Sequence, residues 1–229
     1  MARNKQVKDN KRKLITQEDP KSPISEQYRT IRTNIEFASV DEKVKTILVT
    51  SAGPGEGKST TAANLAVVMA QQGNKVLMID SDLRKPTAHY TFGVPNIAGL
   101  TSLLTKQHTA EEAVQVTKVN NLFMLPSGPI PPNPAELLSS RGMTLFLEAV
   151  AEKFDIVIID SPPLMAVTDA QILSNYTDGT ILVVGSGKTD REQAVKAKDM
   201  LMAAKAKILG VVLNGKDQKE GQNYYYYGS

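Results

Sequence analysis

Short apolar runs, most of them uninterrupted, alternate along this chain with longer stretches of helical periodicity. "TILVT" (46–50), "KVLMID" (75–80), "LFMLPS" (122–127), "DIVIID" (155–160), "TILVVG" (180–185) and "ILGVVLN" (208–214) are the strand candidates. Near-continuous apolar runs of this length mark strands covered on both faces. Helices are expected between them, around 58–72, 98–105, 135–153, 167–175 and 190–205. "SPISEQYRTIRTNIEFAS" reads as a further helix, opened by Ser22 and Pro23, with Tyr28, Ile31 and Ile35 near one face. This alternation predicts the α/β class: a mostly parallel sheet flanked by helices, in a single domain. The expected boundaries are a flexible basic arm over 1–20, the folded domain over 21–214 and a disordered, tyrosine-rich tail over 215–229.

Composition narrows the chemistry. A hydrophobic content of 41% and a charged content of 22% are ordinary for a globular protein with a sizeable core. The absence of cysteine rules out disulfides and thiolate-bound metals, and with two histidines it excludes Cys/His zinc sites. The basic start "MARNKQVKDNKRK" lacks the apolar segment of a secretory signal, and no run reaches the roughly 18 apolar residues of a membrane span. A soluble, cytoplasmic chain is expected. A net charge of +3 gives no reason to expect nucleic-acid binding.

Three motifs carry chemistry. An apolar strand feeds Ala52, Gly53, Pro54, Gly55, Glu56, Gly57, Lys58, Ser59 and Thr60, and a helix rich in Ala and Val follows. This is the spacing of a phosphate-binding P-loop, with Ala in place of the first Gly, and it predicts a P-loop NTPase fold. Backbone N–H groups converge on phosphate oxygens, Lys58 reaches the β- and γ-phosphates of ATP, and the Ser59 hydroxyl ligates Mg²⁺. In "VLMIDSDLRKP", Asp80 and Asp82 end a buried strand, where ligands bind in open α/β sheets. Side by side they repel, and a Mg²⁺ ion relieves this. The competing reading is that they cap the next helix. "DIVIIDSPPL" ends a second strand on Asp160, which reads as a Mg²⁺-holding acid, with Pro162 and Pro163 stiffening the loop beyond it.

Together "SAGPGEGKST", "VLMIDSDLRKP" and "IVIIDSPP" resemble the Walker A, A′ and B motifs of the bacterial protein-tyrosine kinases, in particular the Gram-positive type with a separate kinase chain. The likeness extends from about Lys21 through "SEQYRTIRTNI" and "GPIPPNPAELLSS" to the terminal cluster Tyr224, Tyr225, Tyr226 and Tyr227. The resemblance implies ATP- and Mg²⁺-dependent phosphorylation of those tyrosines and of other proteins, linked to capsule or exopolysaccharide synthesis. It makes Asp80 the base and Asp82 a Mg²⁺ partner. Asn214 falls where related ATPases read the adenine edge, although an Asn at a strand end is also an ordinary turn residue. Glu26, Arg29 and Arg32 match an E-x2-R-x2-R motif implied to join subunits into a homo-oligomeric ring; alone, the three read equally as an ion-paired solvated face. The implied partner is the cytosolic segment of a transmembrane polysaccharide-export activator, which recruits the kinase to the inner face of the membrane.

Two other classes remain open on the residues. Septum-positioning and partitioning ATPases share the fold, but carry a lysine at the place of Gly53. A nucleotide-binding regulator without chemistry would bind ATP and form no phosphotyrosine.

Overall fold

The computed structural model describes residues 14–38 and 43–216. The chain opens with α1 (Ile15–Glu18) and α2 (Pro23–Ala38), then β1 (Thr46–Ser51), α3 (Lys58–Gln71) and β2 (Val76–Asp80). Short elements follow: α4 (Ala88–Phe92), α5 (Leu100–Leu104), α6 (Ala110–Ala113), β3 (Gln115–Val116), β4 (Leu122–Leu125) and α7 (Pro134–Leu138). The last part comprises α8 (Arg141–Lys153), β5 (Ile156–Asp160), α9 (Asp169–Ser174), β6 (Gly179–Gly185), α10 (Arg191–Ala203) and β7 (Ile208–Asn214).

These strands form one sheet in the order β3-β4-β2-β5-β1-β6-β7, parallel throughout except for the β3–β4 pair at one edge. The continuous apolar runs divide by alternation. Ile47, Val49, Val76, Met78 and Ile158 enter one core cluster, beneath α2 and α3. Leu48, Leu77, Ile79, Val157 and Ile159 enter the other, beneath α5 and α8. Both faces are thus dry, and each fully buried Leu or Ile contributes about 1.5–3 kcal/mol. The parallel order brings the C-terminal ends of β1, β2 and β5 to one rim of the sheet.

Three boundaries differ from the sequence reading. The expected helix over 135–153 is two helices. Ser140 breaks the run by capping α8, its hydroxyl accepting from the Met143 amide at 3.3 Å. The strand at 122–127 stops at Leu125, because Pro126 has no N–H and its carbonyl is taken by the Leu100 amide. The arm expected over 1–20 ends earlier. Leu14 is buried, and Thr16 donates its N–H and its hydroxyl to Asn64 Oδ1 of α3, at 3.1 and 2.9 Å. The segment from Leu14 is therefore part of the packed domain, while residues 1–13 lie outside the described residues.

Candidate active site

The P-loop leaves β1 at Ser51, whose hydroxyl donates to the Gly53 carbonyl at 2.8 Å. Gly55 and Gly57 have φ of +75° and +91°, values an L side chain rarely adopts. α3 then starts at Lys58. Its ammonium stands 3.1 Å from Ser59 Oγ, 3.3 Å from Asp82 Oδ2 and 3.3 Å from Asp160 Oδ1. The three sequence motifs meet on one cation. Burial pulls the Lys58 pKa down, but Asp160, Asp82 and Asp80 more than offset it, leaving the ammonium firmly charged.

Asp80 is fully buried. Its Oδ2 accepts the Thr87 and Ala88 amides at 3.1 and 3.0 Å, and its Oδ1 accepts the Asp82 amide at 3.2 Å. Asp82 Oδ1 accepts the Lys85 amide at 3.0 Å. Both acids therefore cap local backbone, and Asp82 also pairs with Lys58. Burial, reinforced by the Asp160 charge, pushes the Asp80 carboxyl up to about 7, against the pull of the Ala88 amide and Lys58. Arg84 makes a two-point ion pair with buried Asp169, at 2.9 and 3.0 Å, tying the loop after β2 to the start of α9.

Lys188 and Thr189, beyond β6, also reach the P-loop. The Lys188 ammonium donates to the Gly55 carbonyl at 2.8 Å, and the Thr189 hydroxyl donates to the Glu56 carboxylate. "GSGKTD" reads as a plain turn, and nothing local signals a partner 133 positions earlier in the chain. Asn214 reaches the same loop. Its Nδ2 donates to the Glu56 carbonyl at 3.0 Å, and a Cβ on Gly57 would lie 1.9 Å from that nitrogen. The P-loop residues Gly53, Pro54 and Thr60 stand where the motif predicts, between β1 and the first turn of α3.

Glu26, Arg29 and Arg32 lie on α2. Glu26 pairs with Arg29, whose Nη2 also donates to the Pro20 carbonyl at 2.7 Å. Arg32 turns inward, donating to the Val68 carbonyl of α3 at 3.2 Å and lying 3.6 Å from Glu36. The triplet is partly committed within the chain. Tyr224–Tyr227 fall outside the described residues. Among the described residues no helix is long and apolar enough to cross a membrane.

Comparison with known proteins agrees with this geometry. The AAA domain family matches residues 44–189. Tyrosine-protein kinase YwqD of Bacillus subtilis is 58% identical over 95% of this chain and 92% of its own. Putative tyrosine-protein kinase CapB of Staphylococcus aureus is 41% identical, over 93% and 94%. The crystal structure of the chimerical protein CapA2B2 superposes with a TM-score of 0.87 at 48% identity, over 90% of each chain. A nucleotide-binding P-loop domain with three acids gathered on its lysine, and relatives of this closeness along nearly the whole length, lead to one assignment: this chain belongs to the bacterial tyrosine-protein kinases.

Proposed function

We propose that this kinase transfers the γ-phosphoryl group of ATP to tyrosine hydroxyls, those of its own Tyr224–Tyr227 and those of partner proteins. The observation that carries the reading is the pairing of Asp82 and Asp160 with Lys58 at the foot of the P-loop, with buried Asp80 directly across the sheet from Asp160. A simple hydrolase needs one acid at the end of β2; the second asks for further work. The phenolic oxygen attacks the γ-phosphorus, the bond to the β–γ bridging oxygen breaks, and the phenolic proton passes to Asp80. A carboxyl near 7 is matched to accepting a proton at neutral pH. Lys58 neutralises phosphate charge, and the N–H groups of Gly53 to Thr60 orient the phosphates.

Mg²⁺ fits the donor set. Among the described residues no group of three or more His, Cys, Asp or Glu side chains could hold a metal ion. Two carboxylates, Asp82 and Asp160, and the Ser59 hydroxyl do converge on the Lys58 cation. Hard oxygens in that small number, completed by phosphates and water, are the usual Mg²⁺ environment. When bound, the ion would spread the negative charge of the phosphates. Asn214, one hydrogen bond from the P-loop, would take the adenine side of the nucleotide.

The tail reading follows from reach and charge. Ten residues separate Asn214 from Tyr224, a span of roughly 33–36 Å when extended, sufficient for the site of a neighbouring subunit. Glu26, Arg29 and Arg32 would hold such neighbours in a ring. Each phosphotyrosine adds about −1.5 to −2 charges, so a fully modified tail would dissociate it. Family resemblance supplies the setting: exopolysaccharide synthesis, with activation and membrane recruitment by the cytosolic segment of a transmembrane export protein. The test is incubation with ATP and Mg²⁺, with and without that segment, followed by phosphotyrosine mass spectrometry and light scattering. The expected result is labelled tail tyrosines and a fall in mass. ATP turnover without label on any tyrosine would overturn the kinase reading in favour of an ATPase.

A further inference from the structure

The Met165 amide holds the Ala52 carbonyl at the start of the P-loop, at 3.1 Å, and three side-chain contacts from outside grip Gly55 and Glu56 in its second half. Lys188 Nζ holds the Gly55 carbonyl at 2.8 Å, Asn214 Nδ2 holds the Glu56 carbonyl at 3.0 Å, and the Thr189 hydroxyl holds the Glu56 carboxylate. The gripping turn is itself fixed. The Lys188 and Thr189 amides donate to the Gly185 carbonyl at 3.2 and 3.0 Å, and the Thr189 hydroxyl accepts the Gly185 amide at 3.0 Å. The fit is close, since a Cβ on Gly55 would stand 2.8 Å from the Lys188 ammonium.

A trans peptide unit points its C=O and its N–H in opposite directions. The described residues contain no cis peptide. Anchoring the Gly55 carbonyl therefore turns the Glu56 N–H away from Lys188, and anchoring the Glu56 carbonyl turns the Gly57 N–H away from Asn214. In a P-loop these N–H groups are the ones that receive phosphate oxygens. Glu56, nearly fully buried, has one carboxylate oxygen on Thr189 and the other without a hydrogen-bond partner. A side chain held by one hydroxyl keeps its place only while that hydroxyl stays.

We propose that Lys188, with Thr189, is a positioning residue for nucleotide phosphate: it acts through the P-loop backbone, aiming the Glu56 and Gly57 amides. The proposal rests on the nucleotide reading above. Donors aimed in advance serve ground and transition states alike, so the effect belongs in KM more than in kcat.

The test is calorimetric titration of the full chain with ADP, with adenosine as a phosphate-free competitor, plus steady-state kinetics in ATP. For Lys188→Ala, ADP affinity falls about tenfold, the scale of one charge-assisted hydrogen bond. Adenosine affinity holds, the melting temperature holds, KM for ATP rises and kcat changes little. Lys188→Arg restores most of the loss. Thr189→Val weakens ADP binding and Thr189→Ser does not. Unchanged ADP affinity in Lys188→Ala overturns the proposal, as does equal loss for adenosine, or a fall in kcat at constant KM. If the wild-type chain itself fails to bind ADP, the nucleotide reading falls and takes the strap with it; if it binds, the variants judge the strap alone.

Discussion

Asp80 and Asp160 are direct cross-strand partners, each the last residue of its strand, β2 and β5. In parallel register such partners face the same side, and like charges so placed repel. The Asp160 charge is second only to burial in holding the Asp80 carboxyl near 7.

This raised value gives the first prediction. An unfolded aspartate titrates near 3.8, so the folded state binds a proton that the unfolded state releases. The stabilising contribution is full below the unfolded value and is lost as pH rises through about 7. In protein free of metal and nucleotide, Asp80→Asn should be more stable than wild type at pH 8, by a few degrees in melting temperature, and the gap should narrow steadily as pH falls through 7 toward 5. Thermal melts across that range check it. A constant gap at all pH values would remove Asp80 as its source.

Lys58→Met should lose phosphoryl transfer altogether. It should also lower stability, because Asp160, 1% exposed, and Asp82 are left without their cation. Stranding a buried charge costs about 3–5 kcal/mol, so the urea midpoint should fall clearly while the fold survives. A fall in activity with no change in midpoint would mean that water already screens the acids.

Gly57→Ala places a Cβ 1.9 Å from Asn214 Nδ2 at a φ of +91°. ADP binding should vanish in calorimetry. Adding Asn214→Ala removes the clash but not the left-handed backbone, so the double variant should regain melting temperature without regaining ADP.

Asn64→Leu keeps side-chain volume but strands the Thr16 N–H and leaves its hydroxyl only the Asn64 carbonyl, at 3.5 Å. The expected cost is about 1–3 kcal/mol by urea unfolding. Thr16→Val in the same chain should cost less than additively, since the hydroxyl has already lost its shorter bond, to Asn64 Oδ1.

What the sequence carried plainly was chemistry at strand ends. Ser51, Asp80 and Asp160 close runs of β-branched and apolar residues, and local pattern is enough to place them on one rim once the sheet is parallel. What it concealed was non-local hydrogen bonding. Thr16 looks like part of a polar arm until Asn64 is found opposite it, and Lys188 looks like solvent-facing charge until Gly55 is found beneath it. Ser140 carries no clear signal in the sequence. A helical period on both sides of it masks a capping hydroxyl, and only the accepted Met143 amide reveals the break. Asn214 ends β7, as the apolar run implies, yet its amide answers to backbone, a partner that composition cannot indicate.

The strand order also fixes when the phosphate site comes into being. β1 pairs only with β5 and β6, Thr46 with Val157 and Ile47 with Gly179, whereas β2 finds β4 much sooner. On a ribosome, the strand that carries the P-loop waits through about 110 residues of further synthesis for β5 and about 130 for β6, roughly 6–27 s at ordinary rates. During that interval a segment that is fully buried in the finished fold has no strand partner, which makes it a ready client for chaperones. The strap on the loop, from Lys188 and Asn214, is translated later still. A chain interrupted anywhere before β6 therefore carries no finished site, and a cell releasing truncated copies releases none that can phosphorylate.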